Sequence, residues 1–319
     1  TLFARMRVSF YEVGMKLFGE LHISKSMRKA RLYAFRFLKD DLSISILCYH
    51  QILDDKLSAV SDLSVSVTNF EKHLRYLLKN YEVISLGDLL EIYNGRGKRG
   101  RFAVITFDDG YSNVYQNAYP LLRSYNVPAT VFICPDHVTS GQLFWWDKVE
   151  EIIYFGKQED LQRICTFKIL RKLDNERARK VLCSRLLRLY KYDNELKQKL
   201  AEVKLPCSPV GTDQRRPLTW DEIKIMDRGL ITIGSHTLSH PVLSKISLAD
   251  ARQEITLSKS IIENILKTKV EFFAYPHGGR KDFNKAIENV VREAGYKLAV
   301  TTIWGTNGKR ANMYSLKRI

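Results

Sequence analysis

Apolar and polar positions along this chain follow two alternating periods. Short β-branched or aromatic runs, the mark of buried strands, are separated by stretches in which apolar residues recur every three or four positions, the mark of helices packed on one side. The strand-like runs are Ile44–Tyr49, Val83-Ile84, Val104–Phe107, Ala129–Cys134, Leu230–Gly234, Val270–Tyr275 and Leu298–Thr302. Helical periodicity fills the intervals. Thr68-x-x-Glu71 opens a helix with Phe70, Leu74, Leu77 and Leu78 on one face. Further helices are predicted over Leu86–Tyr93, from Asp109 to near Tyr125, after Thr219-x-x-Glu222, from Ser247-x-x-Asp250 through Leu266, and over Asp282–Ala294. Each Ser/Thr-x-x-acid opening reads as a capping box. Strands alternating with helices predict an α/β fold with a mostly parallel sheet. Polar residues gather just after strand ends, as they do at the catalytic face of α/β barrels.

Two regions depart from this alternation. In residues 1–41, Leu2, Met6, Phe10, Val13, Leu17 and Leu21 form one apolar stripe on a predicted helix in which Lys and Arg outnumber the acids. Such a basic amphipathic segment fits either a membrane surface or packing against the main domain. Residues about 148–216 carry no strand signal in their first part and are rich in Lys, Arg, Glu and Leu, so they read as a helical insertion in a domain spanning 42–319. The 319 residues, 45% of them hydrophobic, suffice for a substantial core and argue against wholesale disorder. No window approaches the roughly 18 apolar residues of a membrane span. Five cysteines without CxxC spacing suggest reduced, buried thiols. The net charge of +16 is compatible with an anionic membrane, an acidic glycan or nucleic acid and selects none of them.

The chemistry gathers at two strand ends. Val104-Ile105-Thr106-Phe107 runs into Asp108-Asp109-Gly110, where a glycine lets the backbone turn and both acids can reach one pocket. Two carboxylates so close do not readily both stay ionised without a cation or a proton between them. Taken alone, Asp-Asp-Gly reads equally as a solvated turn. The second cluster is Ser235-His236-Thr237-Leu238-Ser239-His240-Pro241. Histidines four apart are expected on one face of a helical turn, where both rings can reach one metal, although an isolated HxxxH is often accidental. A carboxylate with two histidines makes a three-ligand centre with room for water, as in hydrolytic zinc sites, and leaves the other carboxylate free to accept a proton.

Thr106-Phe107-Asp108-Asp109-Gly110-Tyr111 together with His236-Thr237-x-x-His240-Pro241 resembles the first two motifs of the polysaccharide deacetylases, the NodB-homology family or carbohydrate esterase family 4. The resemblance runs over about residues 43–319 and takes in Tyr49-His50, Val65-Ser66, Trp145-Trp146-Asp147, Pro276-x-Gly278 and the stretch from Gly295-Tyr296 to Leu316-Lys317-Arg318-Ile319. It implies a distorted (β/α)7-type barrel that removes N-acetyl groups from amino sugars of a bacterial cell-envelope or extracellular glycan. Carried over by position, Asp109, His236 and His240 would hold a divalent metal, zinc first, with cobalt, nickel or manganese as alternatives. Asp108 would be the general base. Tyr111, Trp145, Trp146, Tyr275, Pro276 and His277 are the candidate substrate contacts.

Two departures stand out. The family's third motif carries arginines, one of which pairs with the catalytic Asp. Glu271-Phe272-Phe273-Ala274-Tyr275-Pro276-His277-Gly278 has none, so the base is expected to lack its cationic partner. The family's Leu-x-His motif is also missing, and Leu47-Cys48-Tyr49-His50 instead resembles the circularly permuted branch that includes poly-N-acetylglucosamine deacetylases, which makes His50 the candidate general acid. The expected partner is an N-acetylated glycan, lipid-linked or polymeric, with peripheral membrane contact through residues 1–41, a cytoplasmic or membrane-surface location and no nucleic acid. Two other readings remain: a hydrolase of another small amide or cyclic ureide using the same residues, and a non-catalytic basic protein that binds anionic surfaces.

Overall fold

The computed structural model describes residues 42–55, 63–96, 100–156, 161, 176–201, 212–227 and 229–319. The amphipathic segment 1–41, Cys165 and Cys207 lie outside them. The strands are β1 (Leu42–Tyr49), β2 (Gln51–Leu53), β3 (Ser64–Ser66), β4 (Glu82–Val83), β5 (Gly100–Phe107), β6 (Ala129–Ile133), β7 (Ile231–Ser235), β8 (Phe272–Ala274), β9 (Leu298–Trp304) and β10 (Leu316–Arg318). The main sheet runs β1-β5-β6-β7-β8-β9-β10, with β4 also paired to β5 and every pairing parallel. Its two ends meet through the main chain of Ile319, whose carbonyl accepts from Cys48 N and whose N–H donates to the Ile46 carbonyl, each at 2.9 Å. The sheet is thereby nearly closed into a barrel with seven strands on its path, the α/β architecture expected from the alternating pattern. A separate small sheet pairs β2 with β3.

The strands bury both faces, and their two-residue period sorts side chains into two cores. Ile44 and Ile46 of β1, Phe102 and Val104 of β5, Phe132 of β6, Phe272 and Ala274 of β8, Leu298 and Val300 of β9 and Leu316 of β10 form one cluster, the filling of the barrel. The intervening positions, among them Leu47, Ala103, Ile105, Phe107, Val131, Ile133, Ile231, Ile233, Phe273 and Ala299, pack against the helical layer. Helices Val67–Asn80, Trp220–Asp227, Leu248–Leu266 and Lys285–Glu293 supply much of that layer. Helices Trp145–Phe155, Glu176–Tyr190 and Asn194–Ala201 share a third cluster that includes Val149, Ile152, Leu182, Leu186 and Leu200.

Local signals place most elements well. Thr219 caps its helix as a reciprocal box, donating its N–H to Glu222 Oε2 at 2.8 Å and accepting from Glu222 N at 3.3 Å. Ser247 accepts from Asp250 N at 3.1 Å. The Thr68 box is a correction: that helix begins at Val67, its cap is Ser66, and the Thr68 hydroxyl donates to Asp55 instead. Strand β10 is a second correction, because three residues are too short a run to show a period.

Candidate active site

Inside the barrel the apolar layer gives way to polar side chains at the C-terminal strand ends, and the same two-residue parity picks most of them. Cys48 and His50 follow Ile44 and Ile46, Thr106 and Asp108 follow Phe102 and Val104, Thr302 and Trp304 follow Leu298 and Val300, and Arg318 follows Leu316. Cys48, His50, Asp108, Asp109, Trp145, Trp146, His236, His240, His277, Thr302, Trp304 and Arg318 all line one cavity of about 440 Å³.

Asp108 continues the β5 ladder, donating its N–H to the Tyr49 carbonyl at 2.9 Å. Its carboxylate is 1% exposed and receives a two-pronged pair from Arg318, Nη1 to Oδ1 at 2.7 Å and Nη2 to Oδ2 at 2.5 Å. Arg318 is itself anchored by Nε donating to the Thr301 carbonyl at 2.7 Å and Nη1 to Thr106 Oγ1 at 3.1 Å. The expectation that Asp108 lacks a cationic partner is therefore wrong. The cation comes from β10, adjacent in space and distant in sequence. The missed signal is the burial parity of Leu316-Lys317-Arg318, which turns an arginine to the same side as a core leucine. Burial alone would raise the Asp108 carboxyl, but the Arg318 guanidinium holds it well below the usual carboxylate range.

Asp109 and Gly110 both adopt left-handed backbone, φ 72° and 73°, which breaks the strand parity and brings the second acid into the same pocket. At Gly110 a Cβ would stand 2.8 Å from Ile133 Cγ2. Gly110→Ala is accordingly expected to lower stability by about 1–3 kcal/mol, read as a fall in thermal midpoint. An unchanged midpoint would show that the turn is not constrained.

Residues 236–240 are not the helical turn predicted for them. They form a loop after β7 in which Thr237 and His240 have φ of 66° and 62°. Glu254 of the following long helix holds this loop by accepting from Leu238 N and Ser239 N, both at 2.9 Å, and from Ser239 Oγ at 2.7 Å. His236 Nδ1 lies 2.8 Å from the Ala274 carbonyl, so it carries the proton and leaves the Nε2 lone pair toward Asp109. His236 Nε2 and His240 Nε2 each lie 3.4 Å from Asp109 Oδ1, a buried atom with no hydrogen-bond partner among the described residues. Ligand atoms about 2.1 Å from a shared zinc at tetrahedral angles stand about 3.4 Å apart. The donor set of one carboxylate and two imidazoles therefore fits a divalent cation.

His50 directly follows β1 beside this centre, and the ligand atoms of Cys48, His50 and Asp108 lie within 4.8 Å of one another. Burial favours its neutral ring, against the pull of both aspartates. Among the candidate substrate contacts, Trp145, Trp146 and His277 line the cavity, and the buried Nε2 of His277 has no hydrogen-bond partner among the described residues. Tyr111, Tyr275 and Pro276 do not. Tyr111 is 0% exposed, donating its hydroxyl to Asp147 Oδ2 at 2.8 Å and accepting from Trp146 Nε1 at 2.7 Å, so it braces the wall. Tyr275 is stacked on Phe283 and donates to the Tyr314 carbonyl at 2.9 Å, and Pro276 is buried beside it. The Tyr111 and Tyr275 hydroxyls are thus satisfied inside the protein, and with Pro276 these residues stand behind the cavity lining, where they support its wall.

The family model described as polysaccharide deacetylase matches residues 95–299, more than half of the chain. The chain belongs to the polysaccharide deacetylase family. Among curated relatives, the Bacillus subtilis protein YxkH, named as a polysaccharide deacetylase, is 23% identical over 278 residues, 86% of this chain and 70% of that one. The poly-β-1,6-N-acetyl-D-glucosamine N-deacetylase of Staphylococcus aureus is 38% identical over 82 residues, 25% of this chain and 28% of that one. Among solved structures, the Streptococcus pyogenes deacetylase PplD in complex with acetate aligns with a TM-score of 0.59 at 20% identity, over 87% of this chain and 92% of that one. IcaB from Ammonifex degensii aligns with a TM-score of 0.58 at 18% identity, over 87% and 91% of the two chains. These likenesses establish a shared fold. Family membership bears out the resemblance drawn from the Asp and His motifs.

Proposed function

We propose that this polysaccharide deacetylase family member is a divalent-metal-dependent enzyme that removes N-acetyl groups from a glycan of amino sugars. The observation that carries the reading is one cavity holding the Asp109–His236–His240 cluster, the Asp108–Arg318 pair and His50 together. A cation bound by the triad would polarise the acetyl carbonyl and acidify water. Asp108, kept ionised by Arg318, would accept a proton from the attacking water. His50 would deliver a proton to the amine nitrogen as the C–N bond breaks. Its neutral resting ring suits a relay that is charged only while the proton passes from Asp108 to the leaving group. Water is consumed, and acetate and a free amino sugar are formed.

The substrate named for the S. aureus relative makes β-1,6-linked N-acetylglucosamine the first polymer to try. Metal-loaded protein is expected to release acetate from its oligomers. A panel that adds β-1,4-linked oligomers, a small acetamide and a cyclic ureide separates the competing readings. Turnover of the last two alone would move the site to small-amide hydrolysis. No release from any of them, with salt-sensitive binding to anionic vesicles instead, would sink the proposal.

A further inference from the structure

Sequence alone nominates the adjacent Trp145 and Trp146 as the aromatic surface for a sugar, but the structure shows both rings already engaged. Trp146 is stacked on Phe144 at 4.5 Å and 11°, meets the His240 ring edge-on at 4.7 Å, and has its indole N–H bonded to Tyr111. Trp145 has Tyr190 parallel to it at 6.2 Å and 13°, the Lys197 ammonium 5.3 Å from its centroid, and Trp146 edge-on at 5.4 Å. These two rings are wall.

Trp304 is the opposite case. It lines the same cavity, yet at 68% it is the most exposed of the large apolar side chains among the described residues. Its indole has no ring contact, cation or hydrogen-bond partner among those residues. Its backbone is nevertheless rigidly placed. Trp304 is the β9 partner of Arg318 in the β9–β10 register, and Gly305 N donates to the Arg318 carbonyl at 3.1 Å. The residue that chelates Asp108 therefore also sets where this indole stands. A large apolar face held at a cavity mouth, with nothing among the described residues covering it, favours a ligand that is itself flat and C–H-rich on one side and hydroxylated around its edge, which describes a pyranose ring.

We infer that Trp304 is the stacking platform for a pyranose ring of an oligomeric substrate at the rim of the active-site cavity, a specificity-determining contact. The inference rests on the deacetylase reading for the identity of the ligand. The acetamido group must reach Asp108 and Asp109, 1% and 2% exposed at the cavity floor, whereas Trp304 stands at its open edge. The platform therefore serves a chain of sugars more than a single one.

Kinetics on β-1,6-linked N-acetylglucosamine oligomers, paired with calorimetric binding of the fully deacetylated oligomer, which cannot turn over, test this in the metal-loaded protein. Trp304→Ala is expected to raise both KM and the product Kd by about 5- to 10-fold, with kcat changed by less than about 2-fold and Trp304→Phe retaining most of the affinity. The loss should be smaller on monomeric N-acetylglucosamine. Unchanged KM and Kd, or an equal fall in kcat on monomer and oligomer, would overturn the platform. If wild type releases no acetate but binds the oligomer in a Trp304-dependent way, the platform stands and the deacetylase reading fails. Absence of oligomer binding to wild type overturns the platform as well.

Discussion

Replacing Arg318 with methionine is expected to lower kcat/KM on an acetylated oligomer by about 10²- to 10⁴-fold, the span associated with losing a functional general base. Burial pushes the Asp108 carboxyl up, and the paired guanidinium pulls it down. Without the guanidinium, a carboxyl 1% exposed favours its proton, and a protonated Asp108 cannot accept one from water. The sign follows. The acidic limb of the pH–rate profile should move to higher pH in Arg318→Met, and part of the lost rate should return as pH rises. In wild type the depressed folded pKa means that Asp108 contributes stability above the unfolded value of about 3.9 and loses it as pH falls through the folded one. Removing either partner should cost about 3–5 kcal/mol because it strands a buried charge, whereas Asp108→Asn with Arg318→Met should recover much of that loss. Arg318→Lys keeps a charge but not the paired geometry, and should fall between. A single Arg318→Met variant with wild-type pH profile and thermal midpoint would contradict the assigned pair.

Stripping the protein with a chelator is expected to abolish acetate release, and adding back a divalent cation to restore it. Losing a charge that would polarise the acetyl carbonyl should remove several kcal/mol of transition-state stabilisation, about 10³-fold or more in rate. The same experiment has a readout independent of turnover. A cation present at about 100 times its Kd stabilises the fold by about 2.7 kcal/mol, so the thermal midpoint should rise with metal in wild type and not in His236→Ala or Asp109→Asn. Elemental analysis of the variants should show the loss directly. Full activity in protein shown to be metal-free would end the hydrolytic reading of this triad.

Much of this was legible along the chain because local rules act over a few residues. Apolar runs at Val104–Phe107 and Leu298–Thr302 marked strands, Ser247 and Thr219 marked helix starts, and the Asp108-Asp109 and His236/His240 spacings marked polar groups placed after strand ends. The helical turn expected at 236–240 failed because two left-handed residues and the Glu254 carboxylate shape the loop, and no spacing rule reports backbone handedness. Tyr111 and Tyr275 looked like binding residues because aromatic identity does not reveal whether a hydroxyl is already satisfied.

By itself, then, the sequence determined the fold class, the metal-ligand candidates and the acid pair, since hydrophobic period and residue chemistry are local properties. Only the tertiary structure decided which groups meet. Closure of the sheet through Ile319 carries Arg318, 210 positions away in sequence, onto Asp108, and leaves Trp304 as the open aromatic at the cavity mouth. Such pairings depend on how a barrel's last strand registers against its first, a long-range geometric condition that the spacing of neighbouring residues does not encode.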